Sequence, residues 1–358
     1  MSRKIIFSTG GTGGHIFPAV NLMEHFFEKG YEVVLVTDDR GKNFIKENTK
    51  FTIYTLKTST LTNKNIFNKI FSLFIIFYSI FKSFSILKKE KPDLIFGFGG
   101  YVSFPISFTS KFFNLPLIIY ENNLIIGRAN KYLLPFVKKI LIAQKITQNL
   151  PKKYIHKFIE VGSILSKKIT NYDFQIKKNN ENFSVLILGG SQGAEIFGKI
   201  IPRVIKMIKD KGYSIEIYQQ CIRQQKDFLS SYYTENEIKN YIFEFDEDIL
   251  KLTSRSNLAI TRCGASTTAE LVNTLTPFIA VPLPHSIDNH QYLNAKYYED
   301  RGCCWLLEQH NFTTKNLFDL IIQTITDKKK LEKICENMKK NLSNNVYSNI
   351  DREIKEFI

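Results

Sequence analysis

Two glycine-rich turns constrain this chain more than any other feature: Gly10-Gly11-Thr12-Gly13-Gly14 near its start and Gly189-Gly190-Ser191-Gln192-Gly193 at its middle. Each follows an apolar run, Ile5-Ile6-Phe7 before the first and Val185-Leu186-Ile187-Leu188 before the second, and each leads into a helical pattern. A strand that turns on glycines into a helix makes an anion site. The backbone comes close, unpaired N–H groups point outward, and the helix dipole favours negative charge. Two such corners in 358 residues predict two nucleotide-type halves serving one phosphate-bearing ligand.

The remaining apolar runs support that reading. Strands are expected at Ile5–Ser8, Glu32–Thr37, Phe51–Thr55, Leu94–Gly97, Leu117–Tyr120 and Lys139–Ala143 in the first half. In the second half they are expected at Ser184–Leu188, Ser214–Tyr218, Ile242–Phe245, Leu258–Thr261 and Phe278–Val281. The runs are continuous rather than alternating, as in parallel strands covered on both faces, and helical segments between them supply the cover. The expected fold class is therefore α/β, with two Rossmann-like domains whose parallel sheets face an interdomain cleft. The polar stretch 171–182 is the linker candidate, with a hinge nearer Gly162-Ser163.

The formal charge of +15 suits an anionic partner such as nucleic acid, acidic lipid or a phosphorylated substrate, or reflects a lysine-rich composition. No contiguous basic patch with stacking aromatics stands out, so nucleic acid is not expected. Cys221, Cys263, Cys303, Cys304 and Cys335 have neither zinc-site nor disulfide spacing, which points to a reduced cytosolic chain. The first strand begins at Lys4, so no secretory signal peptide is expected. Histidines and carboxylates lack ligand spacing, so neither a metal nor another cofactor is expected.

One segment departs from the pattern. Residues 66–89 read IFNKIFSLFIIFYSIFKSFSILKK, uncharged between Lys69 and Lys82. That uncharged stretch falls short of the roughly 20 apolar residues a bilayer span needs. It reads either as a buried helix or as one lying in a membrane surface, with phenylalanines in the acyl boundary and Lys69, Lys82, Lys88 and Lys89 at anionic headgroups.

Polar groups cluster where these strands end. His15 sits at a helix start beside the first glycine turn, where the positive dipole end favours a neutral imidazole able to act as a base; it also reads as a loop hydrogen-bonder. Gly97-Phe98-Gly99-Gly100-Tyr101 and Tyr120-Glu121-Asn122-Asn123 occupy further strand ends, where doubly wound sheets bind ligands. Glu121, Asn122 and Asn123 suit hydroxyl recognition or, equally, helix capping. In the second half, Arg262-Cys263-Gly264-Ala265-Ser266-Thr267-Thr268-Ala269-Glu270 opens another helix. Glu270 there can accept from a ribose diol, or simply complement the helix dipole. The loop Pro282-Leu283-Pro284-His285-Ser286-Ile287-Asp288-Asn289-His290-Gln291 suits sugar hydroxyls. The spaced dinucleotide fingerprint is absent, which disfavours a nicotinamide oxidoreductase.

Taken in order, GGTGGHIFPA, GFGGYVSFP, the ENN strand end, GGSQGA, CGASTTAE and DNHQ-x-x-NA resemble the motifs of the MurG family, over about residues 4–307. These are the undecaprenyl-diphospho-muramoylpentapeptide β-N-acetylglucosaminyltransferases of peptidoglycan synthesis. The resemblance implies a glycosyltransferase B fold. It also implies transfer of N-acetylglucosamine from UDP-N-acetylglucosamine to the C4 hydroxyl of the muramoyl sugar of lipid I, giving lipid II. The site would lie at an anionic membrane surface, on the cytoplasmic side of the inner membrane. Residues 1–162 would form the acceptor and membrane domain and 163–345 the UDP-sugar domain, with 346–358 a helix packing back on the first.

By the same resemblance, Thr12, Gly13 and Gly14 would approach the donor's phosphate and sugar, and Asn123 would contact the donor. Ser191 would bond the diphosphate. Ala265, Ser266, Thr267, Thr268, Ala269 and Glu270 would line the nucleotide pocket, with Glu270 on the ribose, and Gln291 would contact sugar hydroxyls. His15 and Glu121 match polar catalytic residues, His15 being the candidate base. Two positions depart from the family. Gly162 is followed by Ser163-Ile164-Leu165-Ser166 where many members have Asn-Pro-Val-Arg, and Asp246 stands at the uracil-contacting position. Other enzymes of this fold remain as alternatives, among them a glycolipid glycosyltransferase and a UDP-sugar epimerase.

Overall fold

The computed structural model describes residues 3–11, 13–45, 50–59, 66–145, 150–171, 174, 182–190, 193–246 and 248–358, with residues 66, 68 and 69 described by backbone alone. The chain divides into two compact units. One comprises Met1–Ser166 together with Asn344–Ile358, the other Lys167–Ser343. The division follows Ser166 rather than Gly162 because Val161 and Ile164 are buried in the first unit's core. Most of the 171–182 stretch lies outside the described residues.

The first unit holds β1 (Lys4–Ser8), α1 (Gly13–Glu28), β2 (Glu32–Thr37), α2 (Asp39–Lys42), β3 (Thr52–Thr55), α3 (Ile66–Glu90), β4 (Leu94–Gly97), α4 (Ser103–Thr109), β5 (Leu117–Glu121), α5 (Arg128–Leu133), β6 (Lys139–Ile142) and β7 (Phe158–Glu160). Its strands run in the order β3-β2-β1-β4-β5-β6-β7, and every pairing is parallel. Residues alternate between two cores. Ile5 and Phe7 pack on one face with α1, and Ile6 packs on the other with Ile86 and Leu87 of α3 and Ile106 of α4. Burial on both faces is why the strands read as unbroken apolar runs.

The second unit holds α6 (Lys167–Thr170), β8 (Phe183–Leu188), α7 (Glu195–Asp210), β9 (Ile215–Gln220), α8 (Lys226–Glu235), β10 (Lys239–Phe243), α9 (Ile249–Arg255), β11 (Leu258–Thr261), α10 (Ala265–Asn273), β12 (Phe278–Ala280), α11 (His290–Glu299), β13 (Cys304–Leu306), α12 (Thr314–Thr326) and α13 (Lys328–Lys339). Its parallel order is β10-β9-β8-β11-β12-β13. Two strands sit differently from the sequence expectation. β9 runs on through Gln219, a buried amide bonded by the Tyr233 hydroxyl at 2.7 Å, which an apolar-run reading passes over. β10 ends before Phe245, whose ring is exposed.

The final helix, α14 (Val346–Ile354), belongs to the first unit. Val346, Ile350, Ile354 and Ile358 recur every fourth residue and enter the α1-side core, one apolar stripe of a helix. The Tyr347 hydroxyl donates to the Leu165 carbonyl, and Asp351 pairs with His25 and Lys29 of α1. Burial works against the Asp351 carboxylate, but the hydrogen bonds from His25 and Lys29 hold it below the usual carboxylate range.

Candidate active site

In each sheet the strand order reverses beside the first strand of its half, between β1 and β4 and between β8 and β11. Such a switch point opens a crevice at the carboxyl ends of the strands. In the first unit the two glycine turns that follow β1 and β4 touch there. A methyl group on Gly10 would lie 2.4 Å from Val102 Cγ2, and one on Gly100 would lie 3.1 Å from the Gly10 carbonyl oxygen. Gly100 also has φ +76°, a conformation that glycine adopts without steric cost. Asp38, at the end of β2, accepts from Gly11 N at 3.2 Å and from Gly41 N at 2.8 Å, which holds the first turn in place.

His15 stands half-buried over this junction. A methyl group on Gly99 would lie 3.5 Å from His15 Cε1 and 3.3 Å from Asn130 Nδ2, so His15 and Asn130 share one side of the glycine loop. Glu121, the last residue of β5, is 2 % exposed. It accepts from Asn123 N at 3.1 Å and Asn123 Nδ2 at 3.2 Å on one oxygen, and from Gly127 N at 2.8 Å and Asn130 Nδ2 at 2.9 Å on the other. So occupied, Glu121 shapes the loop that carries Asn123 and the start of α5. Gly13 is buried and Gly14 exposed, while Thr12 lies outside the described residues.

The second unit repeats the arrangement. Gly190, with φ +78°, and Gly193, with φ +69°, turn the chain after β8; Ser191 lies outside the described residues. After β11, no side chain caps the N-terminus of α10. Ala265, Ser266 and Thr267 are half-buried in this first turn, whereas Thr268 and Ala269 are buried. The Thr268 hydroxyl donates back to the Gly264 and Ala265 carbonyls. Glu270 is half-buried, and desolvation pushes its carboxyl up to about 7. Gln291, in the first turn of α11, accepts with Oε1 from Cys263 N at 3.1 Å and from Leu283 N at 3.0 Å. That stitches the loops after β11 and β12 together.

Asn130 escaped the sequence reading, and Arg262 was met there only as the first residue of its motif, with no role. Asn130 has no motif around it and is brought to His15 only by folding. Arg262 is buried, with its guanidinium over the Phe197 ring at 5.0 Å and donating to Val281 O at 3.1 Å, Pro282 O at 3.2 Å and Gln309 Oε1. Burial lowers its affinity for its proton, and it makes no ion pair among the described residues. It fixes the β11 turn to the β12 loop. Gly264, two residues on, marked the place, but none of its partners could be read from spacing.

Comparison with known proteins settles the family. The glycosyltransferase family 28 N-terminal domain matches residues 5–142 and the family 28 C-terminal domain matches residues 184–352. A Pelagibacter ubique protein named UDP-N-acetylglucosamine–N-acetylmuramyl-(pentapeptide) pyrophosphoryl-undecaprenol N-acetylglucosamine transferase is 33 % identical, across 99 % of this chain and 98 % of its own. A Rickettsia canadensis protein of the same name is 37 % identical, across 94 % and 95 %. The chain belongs to the MurG family. The crystal structure of Acinetobacter baumannii MurG has the same fold, with a TM-score of 0.79 at 24 % identity and 99 % of both chains covered. A candidate UDP-N-acetylglucosamine 2-epimerase from Listeria monocytogenes shares the fold at a TM-score of 0.68 and 13 % identity, covering 99 % and 98 %, so the fold alone does not choose a reaction.

The positions that depart from the MurG pattern are occupied by local contacts. Asp246 accepts from the Tyr241 hydroxyl at 3.0 Å and from Asp248 N at 2.7 Å. Ser166 closes the first unit's segment, and the preceding Leu165 carbonyl is bonded by Tyr347.

Helix α3 is the segment whose sequence departs from the strand-and-helix pattern. Ile70–Glu90 is long and apolar enough to cross a membrane by length and composition. Its end buries Ile86 and Leu87, but before that its described buried residues are serines: Ser72 bonds Ser59 at 2.7 Å, Ser79 donates to the Lys57 carbonyl, and Ser83 donates to Ser79 O at 2.7 Å. Phe71, Phe74, Phe77, Tyr78 and Phe81 face outward, with Phe74 69 % and Phe77 59 % exposed. Lys82 turns back to the Thr55 carbonyl at 2.8 Å, whereas Lys88 and Lys89 are exposed; the Lys69 side chain lies outside the described residues.

Proposed function

We infer that this chain transfers N-acetylglucosamine from UDP-N-acetylglucosamine to the C4 hydroxyl of the muramoyl sugar of lipid I, forming lipid II. One observation carries the reading: nearly the whole chain aligns with transferases of that name, and the shared motifs fall at the strand ends of both sheets. The reaction is a single inverting displacement. The acceptor oxygen forms a bond to the anomeric carbon as that carbon's bond to the diphosphate breaks, and the bonding electrons leave with UDP. His15, beside the first glycine turn, takes the hydroxyl proton. Asn123, held by Glu121, contacts the donor, and Gly13 and Gly14 allow the donor's phosphate and sugar to come close. In the second unit, the uncapped first turn of α10 and the Gly189–Gly193 turn stabilise charge gathering on the diphosphate. Glu270 accepts from the ribose hydroxyls and Gln291 donates to the sugar.

The acceptor is a lipid, and α3 offers the matching surface. Over residues 71–83 the helix buries serines and exposes phenylalanines, the inverse of a soluble core helix. An apolar face of this kind, flanked by Lys88 and Lys89, suits insertion into the boundary of an anionic cytoplasmic leaflet. The test of the reaction is incubation of the purified chain with radiolabelled UDP-N-acetylglucosamine and a lipid I analogue. A labelled disaccharide-lipid product is expected. UDP-sugar consumption without acceptor, yielding an epimerised sugar, would replace the transferase reading by the epimerase one.

A further inference from the structure

We propose that Asn130 is an acceptor-binding residue, and that its Oδ1 receives the proton of the one free muramoyl hydroxyl other than the attacking one, that at C6. The inference rests on the transferase reading above. Asn130 is 2 % exposed, and its Nδ2 donates to Glu121 Oε2 at 2.9 Å. A carboxylate oxygen already receiving Gly127 N–H accepts and does not donate, so the amide nitrogen must face Glu121. The carbonyl end is thereby turned the other way. There Oδ1 accepts no hydrogen bond among the described residues. A methyl group on Gly99 would lie 3.7 Å from this oxygen and 3.5 Å from His15 Cε1.

A buried amide oxygen left without a donor is costly, and a hydroxyl of a bound ligand is one group that would complete it. The geometry narrows the ligand. Asn130 Oδ1 needs a donor, and it shares the glycine-loop surface with the base. The attacking hydroxyl must direct its own proton at His15, so it cannot also serve Asn130. On the muramoyl ring the C3 oxygen is an ether and C1 carries the diphosphate. The C6 hydroxyl is the free hydroxyl beside C4, and a ring seated over Gly99 can present both. Gly99 has φ +81° and no side chain, and a methyl group there would meet Asn130 and His15 at contact distance. Asn130 thus orients the ring so that the C4 oxygen meets His15, while Glu121 keeps the amide from flipping.

The test compares two soluble lipid I analogues, one intact and one 6-deoxy, at saturating UDP-N-acetylglucosamine. Wild-type kcat/KM for the deoxy acceptor should fall roughly threefold to tenfold, the worth of one neutral hydrogen bond, with the donor KM unchanged. Asn130→Ala should lose a similar factor on the intact acceptor and nothing further on the deoxy one. Equal wild-type kcat/KM for both acceptors overturns the inference without any variant, so misfolding of Asn130→Ala cannot shield it. An equal deoxy penalty in wild type and variant also overturns it, by assigning the hydroxyl to another residue. No product from the intact acceptor would instead defeat the transferase reading itself, and this inference with it.

Discussion

Replacing Glu270 by glutamine should stabilise the protein while weakening its grip on the donor. In the folded chain desolvation raises the Glu270 carboxyl from 4.5 to about 7. Below about pH 4.5 both folded and unfolded chains hold the proton, and the residue contributes nothing to pH dependence. Between those values the folded state holds a proton that the unfolded state has lost, so stability falls as pH rises. Above about 7 the full penalty is present. At about 1.4 kcal/mol per pH unit the upper bound is roughly 3 kcal/mol. Glu270 is only half-buried by accessible surface, so water relieves part of this, leaving about 1–2 kcal/mol. Glutamine is neutral throughout. Urea unfolding at pH 8 should show the variant more stable by that amount, with the gain shrinking towards zero near pH 4.5. Calorimetric binding of UDP-N-acetylglucosamine, whose diphosphate keeps its charge over this range, should weaken about tenfold in the variant. Wild-type affinity should rise between pH 6 and pH 8, because a ribose diol donates to the ionised carboxylate, and the variant's should stay flat. A stability gain identical at both pH values, with unchanged donor affinity, would refute the reasoning.

Further outcomes follow from the same geometry. His15→Ala should lower turnover about 100-fold or more while leaving donor binding within about twofold; near-wild-type turnover would remove His15 as the base. Gly10→Ala drives a methyl group to 2.4 Å from Val102 Cγ2 and should cost about 1–3 kcal/mol in thermal unfolding, not recovered by adding Val102→Ala, because Val102 Cβ itself stands 2.7 Å away. Phe74→Glu with Phe77→Glu should abolish co-sedimentation with anionic vesicles without lowering the melting temperature, since both rings are exposed; undiminished binding would count against α3 as the docking face. Asp351→Asn should cost about 1 kcal/mol at pH 7 and progressively less as pH falls below the usual carboxylate range. The Asp351 carboxylate is held below its usual range, so its contribution is present above the unfolded value and lost as pH falls through the folded one.

The glycine turns, the strands that feed them and the order of the motifs were readable because each is a local device. A tight turn needs glycine in place, and a doubly covered strand needs an unbroken apolar run. The edge strands β7 and β13 were not readable. Phe158–Glu160 and Cys304–Leu306 are too short to show a period and exist because a neighbouring strand offers its edge. The candidate site divides the same way. His15, Glu121, Glu270 and Gln291 sit at positions the motifs announce. Thr268 and Ala269 lie in the same motif, yet both are buried.

Composition and local pattern were therefore enough to settle a two-sheet α/β chain with anion corners at its strand ends, since those properties depend on neighbours within a few residues. Tertiary contacts alone decided which groups those corners work with. Asn130 meets His15 across Gly99, and Arg262 reaches Gln309 across the β12 loop. Helix α3 turns its serines inward and its phenylalanines out, a choice its nearly uniform apolar sequence left open. The physical reason is that orientation and partnership are set by which surfaces folding brings together, and those surfaces come from segments far apart in the chain.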